Sequence, residues 1–249
     1  MTTVSAQRSA ILRAELFRDG FAETTCAIEM TEESVFVITE LLPPLDHRVS
    51  VELSFPRIFR PLRLSAAVTQ IRVSDGPGSP PGFVATFDFA DERQRERARE
   101  VARRIRPVPG ALANRELSVL LVEDNQLIRD TFAYAFERYF KQRSARLRLV
   151  QAATAEEAWR LARPDLDLLL VDHTLKASSG TDFVSRLRAD TQLGLAFIVG
   201  MSGAGRAARQ AMLDAGADLF LAKPIALKDL FCTLEFLIGA PPWSEYGAA

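Results

Sequence analysis

Five polar side chains stand where short apolar runs stop. Glu123 and Asp124 follow Val119-Leu120-Leu121-Val122, Asp172 follows Leu168-Leu169-Leu170-Val171, Ser202 closes a run over 196–201, and Lys223 follows a run over 218–222 and precedes Pro224. Carboxylates held close together repel one another unless a cation sits among them, and hard oxygen donors with room for water suit Mg²⁺. A carboxylate nucleophile, a divalent cation, a hydroxyl and an ammonium are together what phosphoryl transfer to an aspartate needs, with cation and lysine neutralising the equatorial oxygens. An ionised carboxylate requires no general base. His47 and His173 are the only histidines, too few for His-based zinc or triad chemistry, and Cys26 and Cys232 read as reduced core thiols.

These residues need a scaffold that brings strand ends together. After Pro107-Val108-Pro109-Gly110 the chain alternates short continuous apolar runs with helical patterns, the mark of a parallel sheet covered on both faces. The pattern predicts strands over 118–123, 147–152, 167–171, 196–201 and 218–222, and helices over 126–142, 155–163, 180–189, 205–215 and 227–238. That is a doubly wound α/β domain, in which ligands gather beyond the carboxyl ends of the strands. A strand order of 2-1-3-4-5 makes the first and third strands neighbours, so Glu123, Asp124 and Asp172 crowd one edge. The glycines of Gly200-Met201-Ser202-Gly203-Ala204-Gly205 follow the fourth strand without the G-x-G-x-x-G spacing and are no nucleotide loop.

Before the break the period is two. Val49, Val51, Leu53 and Phe55 share one face, as do Phe83, Ala85, Phe87 and Phe89, with Pro/Gly-rich punctuation between, which predicts a small antiparallel barrel or sandwich. Residues 91–106 read as a closing helix, with Ala98, Val101, Ala102 and Ile105 on one face and paired charges on the other. The expected organisation is a first domain over 1–106, a linker over 107–116, a second domain over 117–240 and a short tail over 241–249.

The 249 residues carry 31 basic and 32 acidic side chains, a balance that gives no global field for nucleic acid or an anionic membrane. No apolar run reaches the roughly 20 residues of a membrane span, and Met1–Ser9 lacks the layout of a signal peptide, so a cytoplasmic location is expected.

The second half resembles a response-regulator receiver domain over about 117–239, with a flavodoxin-like fold. The resemblance implies that Glu123, Asp124, Asp172 and the backbone carbonyl of Thr174 hold Mg²⁺, and that Asp172 is the phosphoacceptor. It implies further that Ser202 and Lys223 bind the phosphoryl group and that Phe220 is the aromatic switch residue. Gly180 follows Asp172 at the family's eight-residue offset, and Lys223-Pro224 matches the family's lysine with its cis bond. Lys176 replaces the usual proline, the segment His173–Ser179 replaces the familiar loop, and Gly203 replaces a small alanine.

The first half is similar in order to the PilZ domain, a barrel that commonly binds cyclic di-GMP through D-x-S-x-x-G and an upstream R-x-x-x-R. Here the first pattern reads Glu29, Thr31 and Ser34, and Arg8 and Arg13 are five apart. Guanidinium forks suit phosphates and guanine edges, but a bulkier residue at the glycine position crowds a ligand pressed against backbone.

Together the resemblances imply a response regulator that is a switch and not an enzyme, phosphorylated by a histidine kinase or phosphotransfer protein. Output is expected through a downstream protein partner, or a homodimer formed by the fourth helix, fifth strand and fifth helix of the second half, and not through nucleic acid. The rival reading makes cyclic di-GMP the input and the receiver a regulatory or scaffold domain. An aspartyl-phosphate hydrolase of another fold carries D-x-D after the first strand, whereas Asp172 follows the third.

Overall fold

The computed structural model describes residues 10–55, 59–74, 80–105, 116–143, 145–176 and 178–239. Two compact units result, one from 1–111 with 226–249 and one from 112–225. Arg8 and nearly all of the expected linker and tail lie outside the described residues.

In the first unit, β1 (Leu12–Arg18), β2 (Phe21–Ile28), β3 (Ser34–Ile38), β4 (Arg48–Phe55), β5 (Phe59–Arg72) and β6 (Gly82–Asp88) close a barrel in the order β1-β2-β3-β6-β5-β4. All its pairings are antiparallel, and β1 against β4 completes the ring. Alternation fills the interior: Leu12, Ala14, Leu16, Val51, Leu53, Leu64, Ala66, Val68 and Ala85 are buried between more exposed neighbours on their strands, while on β3 Val35, Phe36 and Val37 are buried in succession. Helix α1 (Glu92–Arg104) begins at Asp91, whose carboxylate accepts from Gln94 N at 2.7 Å, while Gln94 Oε1 accepts from Ala90 N at 2.8 Å. It buries Ala98, Val101 and Ala102, and Arg97 Nη2 ties it to the Arg60 carbonyl at 2.9 Å.

In the second unit a parallel sheet of β7 (Glu116–Val122), β8 (Arg146–Ala152), β9 (Leu168–Asp172), β12 (Phe197–Ser202) and β13 (Leu219–Ala222) runs in the order β13-β12-β9-β7-β8. Counting only parallel strands this is 2-1-3-4-5, as the sequence predicts. Helix α2 (Gln126–Lys141) presents a buried ladder of Phe132, Phe136 and Phe140, with successive rings stacked at 6.5 and 6.1 Å. On one face of the sheet, α3 (Ala155–Leu161), α4 (Gly180–Ala189) and α5 (Gly205–Asp214) enclose a core that includes Leu120, Val122, Leu169, Val171, Phe183, Leu187, Ile198 and Met212. Between β9 and α4 the chain adds a small hairpin, β10 (Thr174–Leu175) with β11 (Ser178–Ser179), that the sequence pattern did not reveal.

The last helix, α6 (Leu227–Gly239), groups with the first unit and not the second, to which the sequence reading assigned it. Ile11 N donates to Thr233 Oγ1 at 2.7 Å, and the rings of Phe55 and Phe236 meet edge to face at 4.8 Å. Every side chain from Leu230 to Phe236 is buried, so α6 has no polar face to spare along that stretch.

Candidate functional site

The sheet order places the carboxyl ends of β7, β9, β12 and β13 along one edge. Val122 pairs with Val171, Asp172 with Met201, and Ser202 with Ala222. Residues up to about a hundred positions apart in sequence are therefore neighbours, because parallel register fixes which strand ends lie side by side.

Glu123, Asp124 and Asp172 each offer a carboxylate oxygen within 4.8 Å of the others. Glu123 and Asp172 are buried and Asp124 is half-buried. Lys223 bridges the two buried acids, with Nζ 2.6 Å from Glu123 Oε2 and 2.7 Å from Asp172 Oδ2. The local backbone holds this set in place. Asn125 caps α2 and its N–H reaches Glu123 Oε1 at 3.3 Å, Arg129 Nη1 donates to the Glu123 carbonyl at 2.6 Å, and Thr174 N donates to Asp172 Oδ1 at 3.4 Å. Lys223 N donates to the Ser202 carbonyl at 2.9 Å, which fixes the lysine beside the hydroxyl strand. The bond from Lys223 to Pro224 is cis.

Ser202 is buried, and its Oγ accepts from Ala204 N at 3.0 Å, leaving its O–H able to donate. Gly180 is required sterically: a Cβ there would lie 2.0 Å from the Asp172 carbonyl oxygen. Phe220 is buried in the core cluster, with the Arg209 guanidinium 5.9 Å from its ring centroid.

Three carboxylates against one ammonium leave an excess of negative charge in a partly buried site. Burial raises the Glu123 carboxyl above the ordinary glutamate range; the Lys223 hydrogen bond opposes this and the Asp172 charge adds to it. Burial alone would depress Lys223, but hydrogen bonds to Asp172 and Glu123 and the charges of both acids outweigh it, and its pKa is raised. Such a donor set, hard oxygens with uncompensated negative charge, fits a divalent cation of the Mg²⁺ type.

Among the described residues, the four remaining candidates of the first unit, Arg13, Glu29, Thr31 and Ser34, do not assemble in this way. Arg13 Nη2 donates to Glu15 Oε1 at 3.3 Å, while its Nε is buried without a hydrogen-bond partner. Glu29 sits at φ +55° and pairs with Arg72 at 3.3 Å, whose guanidinium lies 3.9 Å from the Phe36 ring centroid. Thr31 Oγ1 accepts from Ser34 N at 2.9 Å and from Glu33 N at 3.2 Å, and lies 2.9 Å from Ser34 Oγ. Arg8 lies outside the described residues.

Sequence reasoning missed the clamp behind the sheet, in which Arg188 donates to the carbonyls of Gly194, Ala196 and Gly216 and to Asp218, whose Oδ2 also accepts from Ile198 N. A half-buried arginine late in a helix looks like any surface charge in sequence.

Comparison with known proteins agrees with the geometry of the second unit. The response regulator receiver domain family matches residues 119–235. The autoinducer 2 sensor kinase/phosphatase LuxQ of Vibrio harveyi is 30% identical over 157 residues, 63% of this chain and 17% of that protein. The KDP operon transcriptional regulatory protein KdpE of Escherichia coli K12 is 32% identical over 122 residues, 47% of this chain and 49% of that protein. The chain thus spans under a fifth of one curated relative and about half of the other. Among solved structures, the receiver domain of sensor histidine kinase PA1611 from Pseudomonas aeruginosa, which has magnesium in its active site cleft, is 28% identical, with 50% of this chain and 98% of that one covered and a TM-score of 0.43. The HemR receiver domain of Leptospira biflexa is 27% identical, with 49% and 94% covered and a TM-score of 0.42.

By the family match, residues 119–235 carry a response regulator receiver domain. The matched segment runs through Glu235, well into α6, so the last helix of the receiver by sequence is by its contacts part of the barrel unit.

Proposed function

We propose that the chain is a phosphorylation-operated switch in which Asp172 accepts a phosphoryl group from the histidine of a kinase or phosphotransfer protein. One observation carries the reading: three carboxylates meet at the ends of β7 and β9, with Lys223 bridging two of them and Ser202 on the adjoining strand. An Asp172 oxygen forms the new P–O bond as the P–N bond of the phosphohistidine breaks, and the imidazole leaves with the bonding pair. Lys223 is held against Asp172 Oδ2 and is placed to follow the charge onto a phosphoryl oxygen, to which the Ser202 O–H donates. Glu123, Asp124, Asp172 and the Thr174 carbonyl would hold Mg²⁺, which when bound supplies neutralisation of the phosphoryl oxygens. The chain serves as a signalling switch and not as an enzyme, in the cytoplasm, where the buried thiols of Cys26 and Cys232 stay reduced.

We take the barrel as the route of output to a downstream protein partner. Phosphorylation re-partners Lys223, and the chain passes from it through Pro224 and Ile225 to α6, which the barrel holds through Thr233 and Phe236. The alternative output, a homodimer through α5, β13 and α6, has less support, because α6 is buried from Leu230 to Phe236 within a single chain. Beryllofluoride with Mg²⁺ followed by hydrogen exchange tests the switch. Protection should change around Asp172 and in α6, and Asp172→Asn should abolish both changes. An unchanged exchange pattern in the wild-type chain sinks the proposal.

A second reading makes the first unit a PilZ-like receptor for cyclic di-GMP, favoured by the closed six-stranded barrel followed by a helix. It meets resistance from the internal partners of Glu29, Thr31 and Ser34. Calorimetry decides it: saturable heat that disappears in Arg13→Ala establishes the receptor, and its absence removes cyclic di-GMP as a ligand.

A further inference from the structure

The two ends of the barrel are finished differently. At one end Phe55 and Ile11 engage α6 through Phe236 and Thr233. At the other, where β1 turns into β2 and β3 leads to β4, Phe21, Leu41 and Leu45 are 78%, 44% and 58% exposed. Val73, one residue past β5 and 70% exposed, lies at this same end, since Arg72 pairs with Gly82 and Gly82 with Ile38. Among the described residues these four are all the large exposed hydrophobics of the first unit.

The end is built and not loose. Arg18 Nη1 donates to the Leu41 carbonyl at 3.1 Å, joining the two loops, and His47 Nε2 lies 3.7 Å from Asp19 Oδ2 across the same gap. Thr39 links them again, donating to Glu23 Oε2 at 3.1 Å and accepting from Leu41 N at 3.1 Å. Asp46 N donates to the Val68 carbonyl at 2.8 Å, so the base of the loop is pinned to β5. Asp19, Gly20 and Asp46 take left-handed backbone angles of +47°, +79° and +62°, making the tight turns that turn Phe21 and Leu45 outward.

Acidic groups surround the apolar tip. Asp19, Glu40 and Asp46 stand on these two loops with His47, Glu23 and Arg18 lie near the adjoining strand ends, and Arg48 is already paired with Asp88. A grouped apolar surface on a soluble domain marks a contact site, and the charge around it selects the partner. A second copy docked tip to tip would set acids against acids, and an anionic lipid surface would be repelled.

We propose that this end of the barrel docks a segment of a partner protein whose apolar anchors are flanked by lysine or arginine. Phe21, Leu41 and Leu45 receive the anchors, and Asp19, Glu40 and Asp46 set the orientation and the rate of encounter. The site is independent of Asp172, so it stands or falls apart from the phosphoryl switch.

The probe is a fluorescein-labelled amphipathic helical peptide of leucine and lysine, followed by anisotropy with the full chain, both wild type and Asp172→Asn. Saturable binding is expected for both proteins, weakened at least tenfold in Phe21→Ser/Leu45→Ser and in Glu40→Lys/Asp46→Lys. Peptides of leucine with glutamate and of serine with lysine should not bind. All substituted side chains are exposed, so thermal melts should match the wild type; if the apolar pair unfolds the barrel, the charge-reversal pair carries the test alone. Absence of saturable binding, or binding that ignores both variants, overturns the proposal. So does self-association in sedimentation velocity, or pelleting with phosphatidylcholine/phosphatidylserine vesicles, that is lost in Phe21→Ser/Leu45→Ser.

Discussion

The receiver edge and the β2–β3 turn of the barrel were both candidates for binding phosphate-bearing ligands, and they differ in what their polar groups already touch. At the receiver edge Glu123, Asp124 and Asp172 converge with one lysine, which leaves charge uncompensated and a serine hydroxyl free to donate. At the barrel turn Glu29 is neutralised by Arg72, and Thr31 and Ser34 satisfy each other and the local backbone. A site poised for chemistry holds unsettled electrostatics in place with a scaffold, whereas a turn settles its own polar groups and so stabilises itself.

Substitutions can break that contrast, and the largest effect is expected at Gly180. Gly180→Ala forces a methyl group to 2.0 Å from the Asp172 carbonyl and must shift the backbone behind the phosphoacceptor. A cost of about 3 kcal/mol, a melting temperature lower by roughly 6–12 °C, and faster hydrogen exchange in β9 are expected. An unchanged melt would show that the loop after β9 is not held as described.

Thr233→Val tests the barrel's hold on α6. It leaves Ile11 N buried without its 2.7 Å acceptor, at a cost of about 2 kcal/mol, with exchange accelerating in β1 and α6 while β9 stays protected. Equal acceleration in β9 would argue against α6 belonging to the barrel.

A smaller effect follows from Asp229 on the same helix. Burial raises its carboxyl to about 6 from 3.8, with Lys228 opposing and Glu29 adding to the shift. A carboxyl raised in the folded state contributes stability that is present below pH 3.8 and lost as the pH rises through 6. Asp229→Asn should therefore stabilise the chain at pH 7.5 by about 1 kcal/mol, a value reduced for solvent access and for the helix N-terminus that favours the charge. At pH 3.5 it should change nothing; a gain at that pH would contradict the assignment. Smallest is Gly203→Ala, where a Cβ meets nothing within 4 Å and the unfolded chain loses freedom. A gain of about 0.5 kcal/mol is expected in thermal melts.

The receiver was legible because β7, β9, β12 and β13 carry continuous apolar runs with polar residues at or just beyond their ends, so element and site are written in the same few positions. The barrel was harder to read. Its β1 alternates Arg13 and Glu15 with Leu12, Ala14 and Leu16, and β5 carries Pro61 next to the irregular register between Leu53 and Phe55. Proline is tolerated there because no ladder bond is needed from it. The destination of α6 was hidden, although a signal existed: Leu230-Phe231-Cys232-Thr233-Leu234-Glu235-Phe236 has no polar stripe, the pattern of a helix covered all round. The β10–β11 hairpin was unreadable because two-residue strands leave no periodicity.

The central claim is that Asp172 takes the phosphoryl group. Incubating the full chain with acetyl phosphate and Mg²⁺ and measuring its intact mass tests this most directly. One added phosphoryl group is predicted for the wild type, and none for Asp172→Asn or after chelation of the metal. An unmodified wild-type chain, or a phosphoryl group retained by Asp172→Asn, would contradict it.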